Sequence, residues 1–147
     1  MDAELKREII LDNYNNPYHK GLKNESGYKK ANTNNESCID NIDIELKIED
    51  GKVVDANFDG EACAISTSAT SIFLRKIIGK SVDEVKDLIE NYEHLIDEKD
   101  YDEEKLGELM AYDTIYMQPN RKHCALLPVD TIKKILKEEN SGTNRTN

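Results

Sequence analysis

Basic stripes, long apolar runs, closely paired cysteines and internal repeats are all missing from this 147-residue chain. Asp and Glu outnumber Lys and Arg by 30 to 20, giving a net charge of −10 and a pI of about 4.8. Its lysines are interleaved with acids, so the continuous positive surface that a phosphate backbone requires is absent, and nucleic acid is excluded as a partner. No stretch is long and apolar enough to span a bilayer, which excludes a membrane anchor of the helical kind. The opening residues, Met1 to Glu8, lack the apolar centre of a signal peptide, so a cytoplasmic location is expected. Only three cysteines are present, an odd number without a Cys-x-x-Cys pair, which points to reduced thiols rather than a disulfide framework. The Asn-x-Ser/Thr matches at Asn24, Asn35 and Asn144 are then chance occurrences. The length suits one domain with a core of its own. That domain is expected over residues 1–138, followed by a flexible tail over 139–147.

What is there reads as alternating helix and strand signals. Leu5, Ile9, Ile10 and Tyr14 recur at helical spacing from about Ala3 to Asn15, and Asn16-Pro17 ends that run. A polar loop with a short edge strand is expected between Asn24 and Asn35. Ile42, Ile44, Leu46 and Ile48 alternate with polar residues, Glu49-Asp50-Gly51-Lys52 turns, and Val53 to Phe58 returns with Val54, Ala56 and Phe58 on one face. Ala64 to Gly79 is helical, with an unusual density of Ser and Thr that suits close packing near a site better than helix propensity. Ser81-Val82-Asp83-Glu84 is a capping box opening a helix to about Ile96. Lys99 to Glu104 is an acidic linker and Lys105 to Tyr112 a short helix. The last helix is expected from Cys124 to about Glu138, with Pro128 in its first turn.

The three cysteines carry the chemistry. Cys63 and Cys124 each fall at an expected helix start, where open N–H groups and the dipole stabilise a thiolate. Cys38 precedes the hairpin, and Asp40, two residues on in extended chain, projects to the same side. Cys38, Asp40, Cys63 and Cys124 together would satisfy a tetrahedral Zn²⁺, and the same donor types serve iron–sulfur chemistry. The competing reading is that cysteines are small hydrophobes packed for their own sake. Three of them with ligand-type neighbours weigh against that. His123 adjoins Cys124, but consecutive side chains point apart, which argues against a Cys–His nucleophilic dyad. Arg121 either steadies anionic sulfur, pairs with Asp40, or is a plain surface charge.

Asn35-Glu36-Ser37-Cys38-Ile39-Asp40, Phe58 to Ser66 around Cys63, and Arg121-Lys122-His123-Cys124-Ala125 together resemble the three cysteine motifs of the NifU N-terminal-like family of iron–sulfur assembly proteins, which includes SufU and IscU. The similarity begins at Leu11 to Pro17 and runs to the helix after Cys124. The interval of 61 positions between Cys63 and Cys124, together with Arg121 and Ala125, is similar to the SufU branch, whereas His123 is an IscU trait. Glu36 and Ile39 depart from the family's proline and glycine beside Cys38, and losing the glycine stiffens that loop.

The resemblance implies an α+β, SufE/NifU-like fold: a small antiparallel sheet of about three strands with helices on one face. It implies a Zn²⁺-bound, sulfurtransferase-like acceptor, not a stand-alone enzyme. Such an acceptor takes persulfide sulfur from a cysteine desulfurase (SufS- or IscS-like) and passes it to a downstream scaffold or apo-protein. In that scheme Cys38 is the persulfide acceptor, and His123 takes a vacated metal position. The IscU-type alternative is a scaffold that assembles a [2Fe–2S] cluster. A structural zinc module that only binds partners is the alternative of another class. A cysteine hydrolase is disfavoured, since no Gly-x-Cys elbow is present.

Overall fold

The computed structural model describes residues 1–33 and 41–146, with side chains up to 137. Expectations for Glu36, Cys38, Ile39 and Asp40 therefore fall outside the described residues. Helix α1 (Ala3–Asn15) precedes strands β1 (Tyr28–Asn32), β2 (Asn41–Glu49) and β3 (Lys52–Glu61). Helices α2 (Ala64–Ile77), α3 (Val82–Ile96) and α4 (Glu103–Leu106) follow, then two 3₁₀ turns (Gly107–Tyr112 and Ile115–Met117) and α5 (Pro119–Thr146). The strands form one antiparallel sheet in the order β1-β2-β3, the α+β arrangement expected.

The β2–β3 hairpin forms because Asp50 and Gly51 both accept positive φ, 51° and 75°, the backbone that a two-residue connection needs to match strand twist. Beyond the turn, a bulge changes the alternation. Ile48 pairs with Val53, but Lys47 pairs with Asp55, leaving Val54 as the extra residue. Val53 is consequently buried and Val54 is 43% exposed, the reverse of the expectation for Val54. Ile42, Ile44, Leu46, Val53, Ala56 and Phe58 make the inner face, against which the helices pack.

The outer face is polar yet partly closed. Glu45 is 1% exposed because its carboxylate accepts the backbone N–H groups of Lys23 and Asn24 and the Asn57 side-chain amide. Buried carboxylates persist only with such donors.

At the centre lies α2, buried on nearly every side. Helix α3 buries Val85, Leu88, Ile89, Tyr92, Leu95 and Ile96 on one face and opens on Ser81, whose hydroxyl and Glu84 complete the anticipated capping box.

Three readings need correction. In α1, Leu5 and Tyr14 are exposed and Ile9 and Ile10 only half-buried; the buried residue is Asn13, bonded to Ser71 Oγ. Residues 103–112 form a single α turn that tightens into 3₁₀, not one helix from Lys105. The last helix spans Pro119–Thr146 and not 124–138, so Cys124 lies in its second turn and Pro128 well inside it. A proline in a helix interior removes one backbone bond and crowds the carbonyl four residues back, at a cost of about 3 kcal/mol. Here that carbonyl belongs to Cys124.

Candidate metal and sulfur site

Cys63 is the N-cap of α2 in extended backbone (φ −66°, ψ 169°). Its Sγ accepts the Ser66 backbone N–H at 3.5 Å, as a capping side chain should, and lies 3.6 Å from Ser66 Oγ. Cys63 thus stands at the helix start where the sequence pattern put it.

For Cys124 the environment differs from that expectation. It is buried within α5, where backbone N–H groups are no longer open at the helix end. Its link to Cys63 is a side chain: Ser66 Oγ donates to the Cys124 carbonyl at 3.0 Å across 58 residues of sequence. One serine therefore contacts both cysteines.

The residues on either side of the 34–40 interval, Thr33 and Asn41, are held in the sheet. Thr33 N–H donates to the Ile42 carbonyl at 3.0 Å, the Asn32 amide donates to Asn41 Oδ1 at 2.7 Å, and Asn41 pairs with Glu61. Gly60 makes this approach feasible. With φ at +124°, it faces the Asn41 carbonyl so closely that a Cβ would sit 2.1 Å from that oxygen. The chain thus leaves and re-enters the sheet beside Gly60-Glu61, three residues or fewer from Cys63. Cys38 and Asp40 themselves lie outside the described residues, and no cluster of three metal-ligating side chains occurs among the described ones.

Around the two described cysteines the Ser/Thr set of α2 is fully engaged. Ser68 Oγ and Tyr112 Oη are 2.6 Å apart, Thr70 Oγ1 donates to the Ser66 carbonyl, and Thr67 Oγ1 to that of Ala62. Burial pushes the Tyr112 phenol well up, against the Ser68 bond that lowers it; negative charge at Glu108 and Cys63 adds to the rise. Tyr112 therefore stays a neutral neighbour of the thiols. An open depression of about 450 Å³ lies between Tyr14 and Lys20 on one side and Gly60, Glu61, Ala62 and Thr67 on the other, with Ala62 the residue before Cys63 in sequence.

His123 is exposed while Cys124 is buried, consistent with consecutive helical side chains diverging. Arg121 is exposed in the first turn of α5, one turn before Cys124 on the same helix face. Sequence reasoning passed over the close approach at Gly60 and the particular role of Ser66, and it misplaced Pro128 in a first turn. The first was signalled by a glycine three residues before the Cys63 cap.

These features meet a consistent set of relatives. The model of the NifU-like N terminal domain matches residues 5–138. The zinc-dependent sulfurtransferase SufU of Bacillus subtilis is 32% identical over 139 residues, 94% of this chain and 93% of that protein. The iron–sulfur cluster assembly scaffold protein IscU of Thermotoga maritima is 37% identical over 131 residues, covering 89% and 92%. A crystal structure ascribed to a SUF-system iron–sulfur cluster assembly scaffold from Fervidobacterium islandicum superposes with a TM-score of 0.80 at 28% identity, over 92% of this chain and 99% of that one. This chain belongs to the NifU-like N terminal domain family.

Proposed function

We propose that this protein serves iron–sulfur cluster assembly as a Zn²⁺-dependent acceptor of persulfide sulfur, with Cys38, Asp40, Cys63 and Cys124 as the metal donors. The observation that supports the reading is Ser66, whose backbone N–H bonds Cys63 Sγ and whose hydroxyl bonds the Cys124 carbonyl. Three thiolates and a carboxylate suit tetrahedral Zn²⁺. Bound there, the metal would keep its sulfur ligands deprotonated at neutral pH.

Cys38 is the acceptor because it lies on the connecting segment, whereas Cys63 and Cys124 are built into helices. Its thiolate attacks the outer sulfur of the desulfurase persulfide. One S–S bond forms to Cys38, the desulfurase S–S bond breaks, and the desulfurase cysteine leaves as a thiolate, with no net oxidation. The depression beside Ala62 offers the incoming persulfide loop a route. Arg121 and His123 serve as auxiliaries on the exposed side of α5: Arg121 steadies anionic sulfur, and His123 takes the position Cys38 vacates. Sulfur then passes to a downstream scaffold or apo-protein.

The similarity to the Thermotoga scaffold favours a second reading, assembly of a [2Fe–2S] cluster on the same donors. Anaerobic purification with elemental analysis separates the two: about one Zn per chain is expected, whereas iron with acid-labile sulfide would establish the scaffold. With labelled persulfide on the desulfurase, Cys38→Ser is expected to abolish transfer to this protein. Transfer at the wild-type rate would remove Cys38 from the role.

A further inference from the structure

The oddest element of α5 is Pro128. It is buried in the interior of the helix, and the carbonyl it deprives of an intrahelical N–H is that of Cys124. The Cys124 carbonyl takes a side-chain hydroxyl in its place, Ser66 Oγ–H at 3.0 Å, and the neighbouring Ala125 carbonyl accepts Tyr92 Oη–H at 2.9 Å. Ser66 and Tyr92 are both fully buried, so neither hydroxyl has water as a substitute partner.

Ser66 has one hydroxyl proton. It goes to the Cys124 carbonyl, while the Ser66 backbone N–H bonds Cys63 Sγ, so one residue spans both cysteines. We infer that Pro128 and Ser66 act together as a positioning unit: the proline reserves the Cys124 carbonyl for the serine, and the serine fixes the spacing and orientation of Cys63 and Cys124. This rests on the reading of those two cysteines as metal donors. It adds that a residue one turn past Cys124, costly to its own helix and touching no metal, tunes how tightly the ion is held.

Pro128→Ala separates positioning from plain structure, because alanine is the better helix former and restores the missing N–H. Zn²⁺ affinity would be measured by competition with a chromophoric chelator, and melting temperature on metal-free protein. Pro128→Ala is expected to melt at or above the wild-type temperature yet bind Zn²⁺ about tenfold more weakly, the scale on which outer partners of metal ligands act. Ser66→Ala is expected to weaken binding by a similar factor, and the double variant no further than the worse single one, since both act on one bond. Wild-type affinity in Pro128→Ala, or affinity and melting temperature falling together, would overturn the inference.

A metal-free readout guards against confusion with the functional reading. In a Cys38→Ala background only Cys63 and Cys124 remain, and a bifunctional bimane becomes fluorescent when it bridges them. Bridging is expected to drop severalfold on adding Ser66→Ala or Pro128→Ala, and unchanged bridging in both sinks the positioning unit. Wild-type protein that binds no Zn²⁺ but shows the bridging drop would refute the metal reading alone.

Discussion

The two ends of α2 are equally buried and are held in opposite ways. Toward Cys63, Ser66, Thr67, Ser68, Thr70 and Ser71 each direct a hydroxyl to a named oxygen or receive a named donor. Toward Gly79, Ile72, Phe73, Leu74 and Ile77 meet α3 and the sheet through apolar contact, with Phe73 edge-on to Tyr92 at 5.7 Å between centroids. Apolar packing is worth more per residue but is non-directional, whereas a hydrogen bond weakens steeply when its angle departs from linear. The far end therefore supplies stability and the near end supplies position. A site that must present sulfur atoms at fixed distances belongs at the near end.

That contrast can be broken from either side. Phe73→Ala should produce the largest stability loss, about 3–5 kcal/mol, read from denaturant midpoints, while Zn²⁺ affinity per folded molecule stays at the wild-type value. A parallel fall in affinity would mean that the two ends are not separable. Gly60→Ala acts at the near end and is expected to cost about 2–4 kcal/mol through positive φ and the clash with Asn41. Unlike Phe73→Ala it should also lower Zn²⁺ stoichiometry, because the foot of the 34–40 segment must move.

Ser81→Ala, at the start of α3, removes the cap and should cost about 1 kcal/mol, with metal binding untouched. The smallest effect concerns Asp55 on the outer face of the sheet. Burial works to raise its carboxyl, but hydrogen bonds from Lys23, Tyr28 and Asn57 prevail and hold it well below the usual carboxylate range. A depressed folded value means that this stabilisation is complete above the unfolded pKa and is lost as pH falls through the folded one. Asp55→Asn should flatten the acid limb of a stability-versus-pH curve below about pH 4 by lowering the neutral-pH plateau, by less than about 1 kcal/mol for so exposed a pair, while leaving the acid end nearly unchanged. An unaltered acid limb would assign the pH dependence to other carboxylates.

How far the sequence carried each element depended on whether local rules were obeyed. Asp50-Gly51, the Ser81 box and the α2 periodicity are local signals, and all three elements stand where the pattern puts them. Val54 misled because strict alternation assumes no bulge, and the bulge at Lys47/Ile48 is enforced by pairing across the hairpin, not by anything in 53–58. Helix α5 was cut short because Pro128 is read as a first-turn residue. Its interior place depends on hydroxyls supplied by Ser66 and Tyr92, which are tertiary facts. In the site, Cys63's capping position was legible from spacing alone. The burial of Cys124 in a second turn was missed, although Pro119 at the first helical position was itself a start signal that the cysteine-centred reading overrode.

The outer side of β3 has a last consequence. Val53 exchanges backbone bonds with Gly79 and Lys80, and Phe58 with His19 and Gly21, so the strand's outward groups are engaged near both its ends. An intruding chain finds no long ladder there to zip onto, which shields this border from domain swapping and fibril-like stacking. Any chain that meets this flank finds side chains there and not an open ladder to extend.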